Sequence, residues 1–466
     1  MEPRTMGWAA SASGGELVAG DASAVFRGVC TDSRAAAPGT LFVALSGERF
    51  DGHDYLAEVA ARGVAGAMVG AGKASRVPAG LCALAVDSPR AAYGRLAARY
   101  RGEFGVPVAC VAGSNGKTTT KELLAALLST AGETLRSESS FNNDVGVPHT
   151  LLRLEASHRF AVLEAGTNHP GELAPLVAMI RPTRGILTQI GGEHLEFFGD
   201  LEGVAREEGA LADGLPADGL LVLPAATPHA DAIAARTRAR VVRVDWEGGA
   251  GDWSAAVTAC DWKGQRFAVR SPRPDWTGEW ELSLSGRHNV LNAVAAMVVA
   301  AESGVEPGAA RRALAAFRPP RQRLAMAESG GVRLLDDTYN ANADSMGAAL
   351  RTLSDLPCAG RRVAVLGDMA ELGAMAETAH REVGCAAATA VDALFAVGRF
   401  AGVTAGAARG AGLQAVVTCV DAEAATAALA GFVRCGDTVL LKASRSARLE
   451  RVADALRELL GKPGPN

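Results

Sequence analysis

The sequence predicts an α/β protein of three domains: a central parallel sheet of the phosphate-loop ATPase type with a small antiparallel elaboration, a Rossmann-like C-terminal domain, and a smaller domain ahead of them. Three observations carry this reading. Short apolar runs alternate with helical patterns along most of the 466 residues. One run, Val108–Ala112, leads directly into Gly113-Ser-Asn-Gly116-Lys117-Thr118-Thr119. Bridges at Arg101–Pro107 and Phe317–Arg321 divide the chain into domains 1–104, 105–318 and 319–466.

In the first domain, Thr40–Leu45, Gly66–Val69 and Leu81–Val86 read as strands, and Pro89–Tyr100 as a helix. In the second, Val108–Ala112, Arg159–Glu164 and Gly185–Ile190 read as parallel strands and Lys117–Thr130 as a helix. Trp246 to Leu284 alternates polar and aromatic residues, which predicts antiparallel strands at the sheet edge. Its tryptophans Trp253, Trp262, Trp276 and Trp280 suit packing of that layer better than ligand stacking. Pro319-Pro320 ends the preceding helix, because two prolines cannot continue one. The third domain repeats strand and helix at Val332–Asp336, Arg361–Gly367, Ala393–Val397, Ala415–Val420 and Asp437–Leu441. It has no G-x-G-x-x-G turn, so no dinucleotide site is implied.

Composition narrows the function. A formal charge of −4 argues against a nucleic-acid binder relying on a basic field and against a polybasic membrane-surface protein. No apolar run reaches the roughly 18–20 residues that span a bilayer, and no secretory signal is visible at the start. The eight cysteines are scattered without a C-x-x-C pair, as core residues of a reducing compartment are. A soluble cytoplasmic protein is expected. Of 47 basic residues only six are lysine: Lys73, Lys117, Lys121, Lys263, Lys442 and Lys462. The bland reading is a coding bias that swaps lysine for arginine wherever only a surface charge is wanted. Each remaining lysine is then worth inspecting, because arginine cannot replace a compact ammonium.

Gly113–Thr119 has the chemistry of a triphosphate cradle. Glycines let backbone N–H groups of Gly113, Ser114, Asn115 and Gly116 curl around phosphates, and a helix N-terminus adds partial positive charge. Lys117 would reach the outer phosphates, the Thr118 hydroxyl could ligate Mg2+, and Thr119 follows on the helix. Val111 stands where the longer motif has glycine, so this is a shortened form. Glu164 and His194 fall at the C-terminal ends of neighbouring predicted strands, where parallel sheets place catalytic groups and where a carboxylate could bind Mg2+. His288, Asn289 and Asn292 open an apolar helix, either as a cap or as nucleotide contacts. Asp337, Asn340 and their neighbours end a strand in a dense polar cluster, and Lys442-Ala-Ser444-Arg445 forms a second candidate anion site.

In their order, these motifs resemble the Mur ligases over nearly the whole chain. The resemblance includes Thr31-Asp-Ser33-Arg34, Gly47–Asp54, Asn142-Asn143, Glu164–His169, Gly286–Asn292, Asp336–Asn342 and Gly367–Gly373. It favours the branch that adds D-alanyl-D-alanine to a UDP-muramoyl-tripeptide. It implies an ATP- and Mg2+-dependent amide ligase that forms an acyl phosphate and acts on small molecules as a monomer, without nucleic acid or membrane. By resemblance, Thr118 and Glu164 hold one Mg2+ and His194 helps hold a second. His288, Asn289, Asn292, Arg323, Asp337 and Asn340 serve ATP. Ser33, Arg34, Arg49, Asp51 and His53 hold the uridine end, and Asn142, Asn143, Lys442, Ser444 and Arg445 face substrate. The family's carbamylated lysine is matched by Glu208, either a carboxylate supplied directly or a surface helix residue. Ala443 replaces a frequent family glycine. The alternatives are a sister ligase adding a diamino acid, a folylpolyglutamate synthase-like ligase, or a nucleotide-dependent switch or transport ATPase.

Overall fold

A computed structural model describes residues 1–461; Lys462 and the rest of the predicted third domain's end lie outside the described residues. The first domain is a five-stranded sheet in the order Glu16–Ala19, Cys82–Val86, Gly66–Gly70, Leu41–Val43, Val29–Cys30, parallel except for its first pair. A helix absent from the sequence reading, Met6–Ser13, is capped by the Thr5 side chain and buries Met6 and Ala9. Eight residues are too few to display a clear 3.6-residue repeat.

Helix Pro89–Arg101 starts on a Ser88 cap with proline in its first turn. It buries Tyr93, Leu96 and Tyr100 in one core with Val108, Leu163 and Ile180 of the central domain. The bridge read as a linker is pinned. The buried Arg101 guanidinium donates to the carbonyls of Ile180 at 3.0 Å and Phe104 at 2.7 Å, and to Val106 and Arg181 at 3.3 Å each. Arginine's planar fork can satisfy several carbonyls at once.

The central domain is a nine-stranded sheet: Gly278–Leu282, Gly264–Arg270, Trp253–Asp261, Arg240–Trp246, Leu220–Pro224, Arg184–Leu187, Val108–Ala112, Phe160–Glu164, Thr134–Arg136. The first two pairings in that order are antiparallel, as Trp246–Leu284 predicts. Arg240–Trp246 and Trp253–Asp261, however, pair in parallel from Val244/Trp253 to Trp246/Ala255. Trp253, Trp276 and Trp280 are buried against one another, with ring centroids 5.9 and 5.4 Å apart. They are packing, not a ligand face.

The C-terminal domain is a six-stranded sheet in the order Ala325–Ser329, Val332–Asp337, Thr438–Lys442, Arg362–Leu366, Ala393–Val397, Ala415–Cys419. Only its first pair is antiparallel. That edge hairpin turns on Gly330-Gly331, with φ of 56° and 73°. Apolar contact also joins the last two domains: Val294 and Met297 share a core with Met346 and Leu350. Between those domains lies a cavity of about 760 Å³, within the range of small-ligand sites.

Candidate active site

Val108–Ala112 is buried throughout, with Phe160–Glu164 on one side and Arg184–Leu187 on the other, all parallel. Their C-terminal ends therefore open on the same edge. The next strand in sequence, Thr134–Arg136, lies beyond Phe160–Glu164, while the later strands extend the opposite side. That makes a topological switch point, where open α/β sheets bind ligands.

Two glycines shape the loop. A Cβ on Gly113 (φ 114°) would stand 2.5 Å from the Thr188 hydroxyl oxygen, and one on Gly116 (φ 85°) 2.8 Å from the Asn292 amide nitrogen. The Lys117 ammonium contacts the Gly113 carbonyl and lies 3.2 Å from that of Ser114 and 3.5 Å from Glu193 Oε2. Burial would lower its pKa, but Glu193, Glu208 and Glu164 outweigh that and hold it above the ordinary lysine value. It stays charged.

Three buried carboxylates gather beneath the loop. Glu164 accepts from Asn142 Nδ2 at 2.8 Å through Oε1, while Oε2 has no partner. Glu208 accepts the Gly113 N–H at 2.7 Å through Oε2, and its Oε1 has none. The surface reading of Glu208 is thereby excluded, since the residue is 0% exposed. Its neighbour Glu207 faces elsewhere and accepts the N–H groups of Gly171 and Leu173 at 2.8 and 2.7 Å. Glu193 contributes a further partnerless oxygen, Oε1; burial pushes its carboxyl up to about 8 and also raises that of Glu208. Glu193 escaped the sequence reading although it adjoins His194, because nothing local distinguishes a buried glutamate from a solvated one.

Buried carboxylate oxygens without partners are costly and suit a cation. Among the described residues no three His, Cys, Asp or Glu side chains form a metal cage. Mg2+ needs no such cage, since it is commonly held by one or two carboxylates, substrate phosphates and water. The donor set fits.

His194 has a left-handed backbone (φ 49°), and its Nδ1 contacts the Glu371 carboxylate of the C-terminal domain. Burial lowers the His194 pKa despite that neighbour. Arg323 bridges the same domains: it donates to Thr118 Oγ1 at 3.2 Å and stacks 3.9 Å from the Tyr339 ring centroid. Gln322 and Leu324 on either side are left-handed, with φ of 61° and 52°. Asn342 donates to Asn115 Oδ1 at 3.0 Å. Ser114, in turn, exchanges hydrogen bonds with Gly191 through its hydroxyl, at 3.2 and 2.9 Å.

His288, Asn289, Asn292, Asp337 and Asn340 line the cavity, as do Thr119, Asn142 and Asn143. Burial drives the His288 pKa down to about 4, so its imidazole is neutral near pH 7. Asn289 does not cap its helix, which starts on Gly286 without a side-chain cap; inside the first turn, its amide donates to the Ser285 carbonyl at 2.8 Å. Asn143 accepts from Val145 and Gly146 N–H at 3.2 and 2.9 Å, ordering the next helix. Lys442 lines the cavity, but its ammonium is paired 2.6 Å from Asp337 and 2.9 Å from the Asn340 carbonyl.

Ser444 corrects its substrate-facing expectation. It is buried outside the cavity, donates to the Ala341 carbonyl at 3.2 Å and accepts from Ala370 N–H at 2.8 Å. Arg445 is exposed beside Tyr339, with 5.4 Å between guanidinium and ring centroid.

Ser33, Arg34, Arg49, Asp51 and His53 lie in the first domain, away from this cavity. Arg34 pairs with Asp32 at 2.7 Å. Asp51 gathers Ser46, His53 and Lys73, and His53 accepts Gly70 N–H at 3.0 Å. Asp51 and His53 thus brace their loop, while Arg49 lines a shallow pocket with Phe50 and Arg90.

A phosphate loop over buried carboxylates, closed by a second α/β domain, defines a three-domain nucleotide-dependent ligase architecture. The chain belongs to the Mur ligase family: it matches the Mur ligase catalytic domain over residues 25–101, the middle domain over 111–300 and the glutamate ligase domain over 321–445. The UDP-N-acetylmuramoyl-tripeptide--D-alanyl-D-alanine ligase of Escherichia coli is 39% identical over 92% of this chain and 93% of its own. MurF from Acinetobacter baumannii superposes with a TM-score of 0.88 at 30% identity, covering 98% of this chain and 99% of that one. MurF from Thermotoga maritima in complex with ADP gives 0.81 at 26% identity, covering 93% and 98%.

Proposed function

We propose that this chain joins D-alanyl-D-alanine to a UDP-N-acetylmuramoyl-tripeptide, using ATP, in peptidoglycan precursor synthesis. The observation that carries the reaction type is a charged Lys117 beside Glu164, Glu193 and Glu208, each of which keeps one buried oxygen without a partner. The names of relatives covering nearly the whole chain supply the substrates. Thr118, Glu164 and His194 would hold Mg2+, with Glu208 supplying a carboxylate where the family resemblance expects a carbamylated lysine. Mg2+ bound there would reduce repulsion between the triphosphate and a substrate carboxylate.

A carboxylate oxygen of the tripeptide attacks the γ-phosphorus and ADP leaves, giving an acyl phosphate. The free amine of D-alanyl-D-alanine then attacks the acyl carbon, loses a proton, and expels phosphate as the amide forms. Lys117 and the loop N–H groups stabilise charge on the transferred phosphoryl group. Arg323, on the domain junction, would bring a further positive charge as the C-terminal domain seats. His288, Asn289, Asn292, Asp337 and Asn340 are assigned to the nucleotide, and the first domain to the uridine end. Lys442 acts by shaping the Asp337–Asn340 loop. The enzyme would work as a cytoplasmic monomer; no described helix is long and apolar enough to cross a membrane.

Purified protein with ATP, Mg2+, UDP-muramoyl-tripeptide and D-alanyl-D-alanine should give a product heavier by one dipeptide less water. Equal ligation of a single diamino acid, or ATP turnover without any acceptor, would overturn the assignment.

A further inference from the structure

His194 is held from two sides. Its own segment continues into the short helix Leu195–Phe198, and the loop Asp368–Gly373 of the C-terminal domain lies against that helix. The Glu371 carboxylate contacts His194 Nδ1, and the Glu371 carbonyl accepts Glu196 N–H at 3.3 Å. A Cβ on Gly373 would be 3.2 Å from Glu196 Cα, so the two backbones meet closely. The other imidazole nitrogen, Nε2, lies 4.0 Å from Glu193 Oε2, at the carboxylate cluster.

The loop bearing Glu371 is fixed to its own domain. Asp368 accepts the N–H groups of Arg399 and Phe400 at 2.8 and 2.9 Å. Met369 N–H donates to His380 Nε2 at 3.1 Å, and Ala370 N–H to Ser444 Oγ at 2.8 Å. Glu371 therefore travels with the whole C-terminal domain.

We propose that Glu371 is a positioning residue that makes His194 a competent cation ligand only when the C-terminal domain is seated. The contact is an ion pair rather than a formed hydrogen bond. A carboxylate against Nδ1 favours a proton on that nitrogen, hence the tautomer whose Nε2 lone pair faces the phosphate-loop cluster. A carboxylate behind a histidine fixes ring orientation and raises ligand basicity, and losing such a partner commonly costs about 10–100-fold in metal affinity. Here the partner comes from another domain, so cation affinity and domain seating are linked, each strengthening the other. This rests on the reading that His194 helps hold a divalent cation.

The test uses Mn2+ as the probe, with full-length protein, a non-hydrolysable ATP analogue and the UDP-muramoyl-tripeptide. Mn2+ affinities are measured by electron paramagnetic resonance, and electron spin-echo modulation reads imidazole nitrogen at the bound ion. Glu371→Ala should weaken the lower-affinity Mn2+ site by roughly 10–100-fold and remove the imidazole signal, with the higher-affinity site unchanged. Glu371→Gln, which keeps the side chain's shape and a polar oxygen but not its charge, should fall between. Glu371 is half-exposed, and an unshifted melting curve would separate lost positioning from lost fold. Unchanged Mn2+ affinity and an intact imidazole signal in Glu371→Ala, with both lost in His194→Ala, overturn the positioning role and leave the metal reading standing. If His194→Ala also leaves both unchanged, the metal reading itself fails.

Discussion

Two polar clusters sit at the C-terminal ends of parallel strands in this molecule, and they differ in what is left unpaired. In the C-terminal domain, Asp336 meets Arg457 at 2.7 Å and the Thr338 hydroxyl at 2.7 Å. Asp337 meets Lys442, and Ser444 both donates and accepts. In the central domain, Glu164, Glu193 and Glu208 each keep a buried oxygen without a partner. A satisfied cluster specifies structure, whereas a partly satisfied one marks where charge must arrive from outside. Density of polar residues alone does not tell them apart.

The difference can be broken from either side. Lys117→Ala removes the positive charge of the unsatisfied cluster and should lower ligation by roughly 10³-fold or more, with a near-normal fold by circular dichroism. In the satisfied cluster, Asp337→Ala strands a buried ammonium and should destabilise the protein by about 3–5 kcal/mol, read in denaturant unfolding. Glu208→Gln should do the reverse: the nucleotide-free protein melts no lower than wild type, because a buried charge is gone, while Mg2+ titration of ligation shifts about 10–100-fold upward. Unchanged Mg2+ dependence would remove Glu208 from the metal site.

The smallest effect is a pH slope. Glu193 rises from an ordinary 4.5 to about 8 on burial, so the folded state binds a proton that the unfolded state has released between those values. Its contribution is greatest below pH 4.5 and is lost as pH climbs through 8. Nucleotide-free wild type should therefore lose melting temperature over that interval relative to Glu193→Gln. Parallel curves would show that Glu193 is already ionised when buried.

The phosphate loop was legible because its chemistry is contiguous: strand, glycines, Lys117, Thr118 and helix occur within a dozen residues. The strands Leu220–Pro224 and Arg240–Trp246 did not stand out, being embedded in Ala- and Arg-rich sequence, and the short edge strand Ala325–Ser329 followed a proline bridge. Ser444 was assigned wrongly and Glu193 not singled out for one reason: a side chain's partners come from distant segments, such as Ala341 and Ala370 for Ser444. Lysine scarcity was informative at some positions and not at others: Lys121 is fully buried with its ammonium on the carbonyls of Ser137 and Ser139 at 2.7 and 2.6 Å, whereas Lys263 is exposed.

The strand order of the C-terminal sheet also bears on synthesis. Each large sheet is built from one continuous stretch of chain, so the first two domains can fold while the third is still being translated. In the third, the last strand in sequence, Thr438–Lys442, occupies an interior place between Val332–Asp337 and Arg362–Leu366. A nascent chain halted before residue 438 would leave a gap in the middle of that sheet and Asp337 without Lys442. The cavity between the last two domains, which Lys442 lines, is thus completed only after Thr438–Lys442 has left the ribosome.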